Sequence, residues 1–350
     1  MSCVEVADTI DSYLQQRDWR VNANANQGYS VGGLILNTAG KMIANYWLDH
    51  VYPPEIGQAH REGDVHIHDL DMLGGYCAGW SLRTLLHEGF NGVPGRTDAK
   101  APKHLDSALW QAVNFLGTLQ NEWAGAQAFS SFDTYLAPYI RKDALDYGYV
   151  RQLMQSFIFN LNFPSRWGSQ TPFTNLTFDW TCPDDLKTQI PAIAGEEMPF
   201  TYGDCQAEMG MINRAFLEIM EEGDACGRVF TFPIPTYNIT RDFPWDDPDT
   251  DLLFRVTAKY GLPSPGTSSN QGWNRAWCAR CVAACNLTCA NWNGVAMACS
   301  VRRNRLARWG YLPLTAPVLA MCIGVTRRGC LRGWIPCWNW GATALRLSAR

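Results

Sequence analysis

Ninety consecutive positions, residues 261–350, contain no aspartate, glutamate or lysine. Charged residues occupy about a quarter of ordinary sequence, so a gap of this length is not a sampling accident. The same ninety residues carry 11 arginines, 8 of the 13 cysteines and 7 of the 15 tryptophans. Residues 1–260 hold all 33 acidic residues against 18 Lys and Arg, so the two parts carry −15 and +11 within a chain of net charge −4. Other absences narrow the function classes. No run approaches the roughly 20 apolar residues of a spanning helix, and Met1 to Asp8 lacks the basic region and apolar run of a secretory signal. The net charge is too small for a nucleic-acid groove or a polybasic membrane contact. These features predict a cytoplasmic protein with neither nucleic acid nor membrane as a partner.

The cysteine-rich tail offers a C-x2-C-x3-C-x3-C run at Cys278, Cys281, Cys285 and Cys289, a spacing that suits a metal. A competing reading is a GC-rich gene translated out of frame, which yields this mixture of Arg, Trp, Cys, Gly and Ala. Codons compatible with Asn293 to Ser300, shifted by two bases, permit Arg-Arg-Gly-Asn-Gly-Leu-Phe. The same shift from Cys281 to Cys289 permits Cys-Cys-Arg-Leu-Gln-Leu-Asp-Leu. The restored text has the acids and turn glycines that the printed text lacks. We expect a frame change near residue 263, with a disordered or non-native tail over 264–350.

What is present before that point alternates helical and extended patterns with short Gly/Pro punctuation, the rhythm of one mixed α/β domain. Residues 5–16 predict a helix with Val6, Ile10 and Leu14 on one stripe, and 33–49 predict a second, stopped by Pro53-Pro54. A third spans 103–124, with Leu105, Leu109, Ala112, Leu116 and Leu119 aligned. A fourth spans Met209 to Met220, ended by Gly223. Val229 to Ile234 predicts a strand at a sheet margin, because Pro233 cannot donate to a central ladder.

The densest chemistry lies at His66-Ile67-His68-Asp69-Leu70-Asp71, followed by Gly74-Gly75-Tyr76-Cys77-Ala78-Gly79-Trp80. In an extended segment His66 and His68 share one face. Together with an Asp they would suit a metal-dependent hydrolase; a satisfied core histidine beside an exposed one is the plainer alternative. Cys77 between glycines suggests a confined pocket, against the commoner fate of a merely buried thiol.

Several motifs together resemble the anaerobic, class III glycyl-radical ribonucleoside-triphosphate reductases. They are Asn22 to Asn26, Tyr52 to Ile56, His60 with Glu62-Gly63-Asp64, His66 to Asp71, Gly75-Tyr76-Cys77 and Leu86 to Phe90. The series continues through Asn121 to Phe129, Asp133 to Tyr139, Ser169 to Phe173 and Phe232 to Asn238. The resemblance covers about residues 5–263 and implies a ten-stranded α/β barrel, here incomplete, with residues 1–263 as a partial catalytic domain.

The resemblance further implies reduction of ribonucleoside triphosphates to 2′-deoxy forms, a homodimer, and a radical-SAM iron–sulfur activase that makes the glycyl radical. Cys77 matches the family's strand cysteine, which assists reduction at C2′ of the ribose. His66, His68, Ser169, Gln170 and Thr171 would line or support the substrate pocket, with no metal among them. Lys103 and Asn114 fall where the family places an ATP or dNTP effector; Arg141 and Lys142 could add phosphate contacts or simply be solvated. In the printed frame the thiyl-forming cysteine, the four-cysteine zinc site and the glycyl-radical loop have no counterpart, nor does the N-terminal ATP-cone. The expectation is therefore a truncated chain without turnover of its own. The alternatives are the metal-dependent hydrolase and a non-catalytic nucleotide-binding or dimerisation fragment using residues 103–142.

Overall fold

The structure, a computed structural model, describes residues 5–17, 29–67, 69–72, 77–91, 97–163 and 171–261, with the backbone of two strands at 264–267 and 323–325. The chain opens with α1 (Val6–Leu14) and α2 (Val31–Tyr46), which runs into a single wide π turn at Trp47–Val51. Ser30 caps α2 by accepting the Gly33 N–H at 2.9 Å. Its own backbone N–H donates to the Tyr13 hydroxyl at 2.9 Å, and that hydroxyl donates to the Ser30 carbonyl at 3.0 Å, which ties α1 to the start of α2. Pro53 and Pro54 do more than stop the helix. Pro54 is the first residue of α3 (Pro54–Glu62), where the missing N–H has no intrahelical partner to lose.

The predicted stripe on α1 faces outward. Val6 and Leu14 are exposed, and Thr9 and Tyr13 are the buried residues instead. The Tyr13 hydroxyl bonds to Ser30 orient the helix, so the polar tether overrides an apolar repeat only nine residues long. After α3, strand β1 (Val65–Ile67) buries Ile67 with Trp47, Leu48, Tyr52 and Ile56 in a small cluster.

The body of the molecule follows. Strand β2 (Ala78–Trp80) leads to α4 (Leu82–Glu88) and α5 (Leu105–Leu119), and β3 (Gln127–Phe129) leads to α6 (Phe132–Asp143) and α7 (Tyr147–Leu161). After β4 (Thr174–Phe178) come the one-turn α8 (Asp184–Lys187), the hairpin β5 (Ala192–Ile193) with β6 (Glu196–Glu197), and α9 (Gln206–Glu222). Then β7 (Ile234–Ile239), α10 (Pro248–Tyr260) and β8 (Ser264–Thr267) complete the unit, while β9 (Ile323–Val325) pairs antiparallel with β1.

Five strands form one sheet in the order β2-β3-β4-β7-β8, every neighbouring pair parallel. Parallel neighbours need crossovers, and crossovers of one hand with no reversal of strand order put the helices on a single face. All five residues of the predicted α5 stripe are buried there, with Met209, Ile212, Phe216, Ile219 and Met220 of α9. Gly223 ends α9 with φ +76°, and a Cβ at that position would lie 2.5 Å from the Arg228 carbonyl oxygen, so only glycine fits.

The strand expected over Val229 to Ile234 is displaced. The ladder begins at Ile234 and runs to Ile239, between β4 and β8 rather than at a margin. Pro235 is tolerated because β8 begins only opposite Thr236, so no β8 residue stands opposite the proline. Among the described residues no helix is long and apolar enough to cross a membrane.

Candidate active site on the open face of the sheet

Side chains on a strand alternate between faces, and the burial clusters show which face is which. Trp80, Phe129, Leu176, Phe178 and Tyr237 point into the helical layer. The other face carries Cys77, Gly79, Ala126, Ala128, Phe173, Asn175, Thr177, Thr236 and Asn238, following the strand registers. Apart from Phe173, the residues around Cys77 on this face are small. Ala126 and Ala128 form their own buried group, against which Cys77 and Phe173 pack.

Cys77 stands immediately before β2, and its Sγ accepts the Ala126 N–H at 3.2 Å, while the Ala78 N–H donates to the Ala126 carbonyl at 3.0 Å. The thiol is therefore fixed by backbone at the N-terminal edge of the strands, half-buried, above the small residues of β2 and β3. A thiol can give up a hydrogen atom or an electron, and a small-walled, largely dry surface suits such chemistry. Further along the same face Asn175, Thr177 and Thr236 are all buried, and the Asn175 Nδ2 donates to Thr236 Oγ1 at 3.3 Å.

A second polar group, not expected from the sequence, lies at the C-terminal end of β4. Asp133 of α6 is fully buried and accepts the backbone N–H groups of Asp179 and Trp180, both at 2.9 Å, and Asn213 Nδ2 at 3.0 Å. Asp179 accepts the Thr134 hydroxyl at 2.8 Å and Asn238 Nδ2 at 2.9 Å. Burial, and then the neighbouring charge of Asp179, push the Asp133 carboxyl up to about 7 against the pull of its three N–H donors. The network locks α6, α9, β4 and β7 together. The available sequence signal was an acid standing between Phe132 and Tyr135-Leu136 in an otherwise apolar run.

The remaining expected site residues are scattered. Thr171 lies two residues before Phe173 and has a buried Oγ1 with no hydrogen-bond partner; Ser169 and Gln170 lie outside the described residues. His66 is exposed on β1, outside the five-stranded sheet, with its ring 5.6 Å from that of His60; His68 lies outside the described residues. Among the described residues no group of His, Cys, Asp or Glu could hold a metal ion. Lys103 and Asn114 are both exposed, Lys103 just before α5 and Asn114 on it. The Lys142 ammonium donates to the Lys103 carbonyl at 2.9 Å, which brings the end of α6 beside the start of α5. Arg141 is engaged elsewhere, on the Asp204 carbonyl, and sits over the Phe200 ring.

A parallel α/β sheet wound in one direction, with helices on one face and a fixed cysteine on the other, is the architecture of half an α/β barrel enzyme. The sequence profile of the anaerobic ribonucleoside-triphosphate reductases matches residues 23–321, and the chain belongs to that family. The match runs past the change of composition at residue 263. The reductase of Enterobacteria phage T4 is 24% identical over 190 residues, which cover 46% of this chain and 31% of the relative. That of Escherichia coli strain K12 is 26% identical over 184 residues, 45% of this chain and 26% of the relative.

Among solved structures, the anaerobic ribonucleotide reductase from Thermotoga maritima in complex with dATP and CTP superposes with a TM-score of 0.56 at 16% identity. It covers 78% of this chain and 51% of that one. The same enzyme with dATP in the specificity site gives 0.56 at 18% identity, covering 76% and 47%. The chain thus spans about half the length of these solved relatives and about a third or less of the curated ones.

Proposed function

We propose that residues 1–263 are part of the catalytic barrel of an anaerobic ribonucleoside-triphosphate reductase acting in the cytoplasm, and that Cys77 is its reducing thiol. The observation that carries this is the placement of Cys77 on the open face of the parallel sheet, held by Ala126 over small residues. Exchange of the C2′ hydroxyl for hydrogen releases water and takes two electrons and two protons. Cys77 can supply one hydrogen atom, so a dithiol or formate-type donor must complete the reduction. In the family a glycyl radical made by a radical-SAM activase supplies the radical chemistry; the residues here orient the sugar, exclude water and hold the thiol.

The other roles are assigned on the same footing. Thr171 borders the pocket near the N-terminal edge of β4, and Ser169, Gln170, His66 and His68 are assigned to the same pocket from the family motifs alone. Lys103, just before α5, and Asn114, on it, receive a deoxynucleotide or ATP effector at a homodimer interface. Residues 264–350 are assigned to a shifted reading frame on their composition.

Two measurements test the reading. Equilibrium binding of a ribonucleoside triphosphate to the full chain should saturate at one site per substrate pocket; no binding at millimolar nucleotide would refute it. The intact mass of the native gene product, read beside a resequenced locus at codon 263, tests the frame. A mass near 39.2 kDa means the shifted tail is real, and a much larger one means the catalytic chain continues in frame.

A further inference from the structure

The open face of the sheet holds a buried acceptor with nothing to accept. Asn175 is 1% exposed, its Nδ2 is engaged by Thr236 Oγ1, and its Oδ1 has no hydrogen-bond partner. Thr177 Oγ1, one step along the same face, is also buried and unpartnered. Buried amide oxygens are normally satisfied, and this one lies on the same face of the sheet as Cys77, where a donor from a bound ligand would complete it.

The register fixes where that donor would sit. Gly79, Ala128 and Asn175 are in line across β2, β3 and β4, with Cys77 two residues before Gly79. With a rise of about 3.3 Å per residue and about 4.8 Å between strands, the Asn175 and Cys77 α-carbons lie about 12 Å apart. Between them the face carries the small residues Gly79, Ala126 and Ala128, with Phe173 packed against the two alanines along the same strip. A furanose ring is the hydroxyl-bearing part of a nucleotide. Its hydroxyls donate hydrogen bonds; a phosphate at pH 7 chiefly accepts them and would leave Asn175 unsatisfied.

We propose that Asn175 is a specificity-determining residue whose Oδ1 accepts a hydrogen bond from a sugar hydroxyl of the substrate held over Ala128, with Thr236 as the positioning residue that fixes its amide. This rests on the reading of the face as a ribonucleotide site, and it adds which part of the ligand lies there: the hydroxyl-bearing sugar, with the phosphates directed elsewhere.

The test compares binding of CTP and 2′,3′-dideoxyCTP to the full chain and its variants. The unsubstituted chain should bind CTP about tenfold or more tightly than the dideoxy analogue, as expected when a site is built to pair a hydroxyl. Asn175→Ala should bring the ratio to about one by weakening CTP alone. Thr236→Val, which releases the amide, should give an intermediate ratio, and Thr236→Ser should restore it. Asn175→Asp retains an acceptor oxygen and should keep the preference, which covers the case in which Asn175→Ala fails to fold. Equal binding of both nucleotides by the unsubstituted chain, an unchanged ratio in Asn175→Ala, or a lost ratio in Asn175→Asp would overturn the proposal while leaving a nucleotide site in place. Failure of the unsubstituted chain to bind either nucleotide would instead remove the ribonucleotide reading on which the proposal stands.

Discussion

Helices α1 and α5 each carry an apolar stripe at helical spacing, and the two stripes meet opposite fates. On α5 the stripe Leu105, Leu109, Ala112, Leu116 and Leu119 is buried throughout, whereas on α1 Val6 and Leu14 stand in solvent. The difference belongs to their surroundings. α5 packs among α4, α6 and α7 against a five-stranded sheet, so its apolar face has somewhere to go. α1 touches α2, which itself exposes Val31, Ile35, Met42 and Tyr46. An apolar period therefore states that a helix has a face, and the neighbouring elements decide whether that face is covered.

The comparison is broken or upheld most directly by truncation. Leu116→Ala removes a side chain that is 0% exposed and should cost about 3 kcal/mol, within the usual range of about 2–5 for buried leucines. Leu14→Ala on α1, where the leucine is 64% exposed, should change stability by less than about 0.5 kcal/mol. Urea titration of the full chain checks both. Equal losses would mean that the α1 stripe is covered in solution and that the two helices are alike after all.

The next largest effect concerns the buried acid of the body. Because Asp133 is raised from 3.8 to about 7 in the folded state, the native protein holds a proton that the unfolded chain releases. Its contribution is present below about 4 and is lost as the pH rises to about 7, so stability should decline over that window. Asp179→Asn removes the charge that helps raise Asp133, and the decline of the urea midpoint with pH should become shallower. A slope unchanged by that substitution would show that burial alone sets the behaviour.

A smaller effect separates the N-terminal unit. Ser30→Ala removes the cap on Gly33 and should cost about 1 kcal/mol. Because Tyr13 bonds only to the backbone of Ser30, the tether to α1 should survive. Amide exchange should quicken over the first turn of α2 and stay unchanged in α5 and α9. Faster exchange in all three would mean that the two regions unfold as one.

Much of the body was legible because its signals are local and repeated. The stripe of α5 and the extent of α9 with its terminal glycine follow from periodicity and stop residues. The position of β7 was not, since a rule against proline in central strands is waived where the neighbouring strand starts one residue later, as β8 does beside Pro235. Cys77 could be singled out from its flanking glycines and the family motif. Asn175 could not, because its meaning comes from alternation across β3 and β4, which no single segment contains. The Asp133 network is likewise made by four elements distant in sequence, and the carboxyl reads as a surface acid until α6, α9 and β4 are brought together.

The smallest predicted effect sharpens the contrast by its sign. In the N-terminal unit His60 Nδ1 accepts the Ile67 N–H at 3.1 Å, and burial, then the proximity of His66, lowers its pKa below the ordinary 6.5. The neutral ring is the form the fold uses. Its contribution is present above about 6.5 and is lost as the pH falls through the lowered folded value, opposite to Asp133. Protection of the Ile67 amide, corrected for intrinsic exchange, should therefore weaken between pH 7.5 and pH 5 by less than about 1 kcal/mol. Over the same interval α6 and α9 should become better protected. His60→Asn, which keeps an acceptor near Nδ1 but does not titrate, should hold the Ile67 protection constant while leaving the response of α6 and α9 as it was. Parallel responses of both regions would show that a single cooperative transition, rather than two oppositely titrating groups, governs the fold.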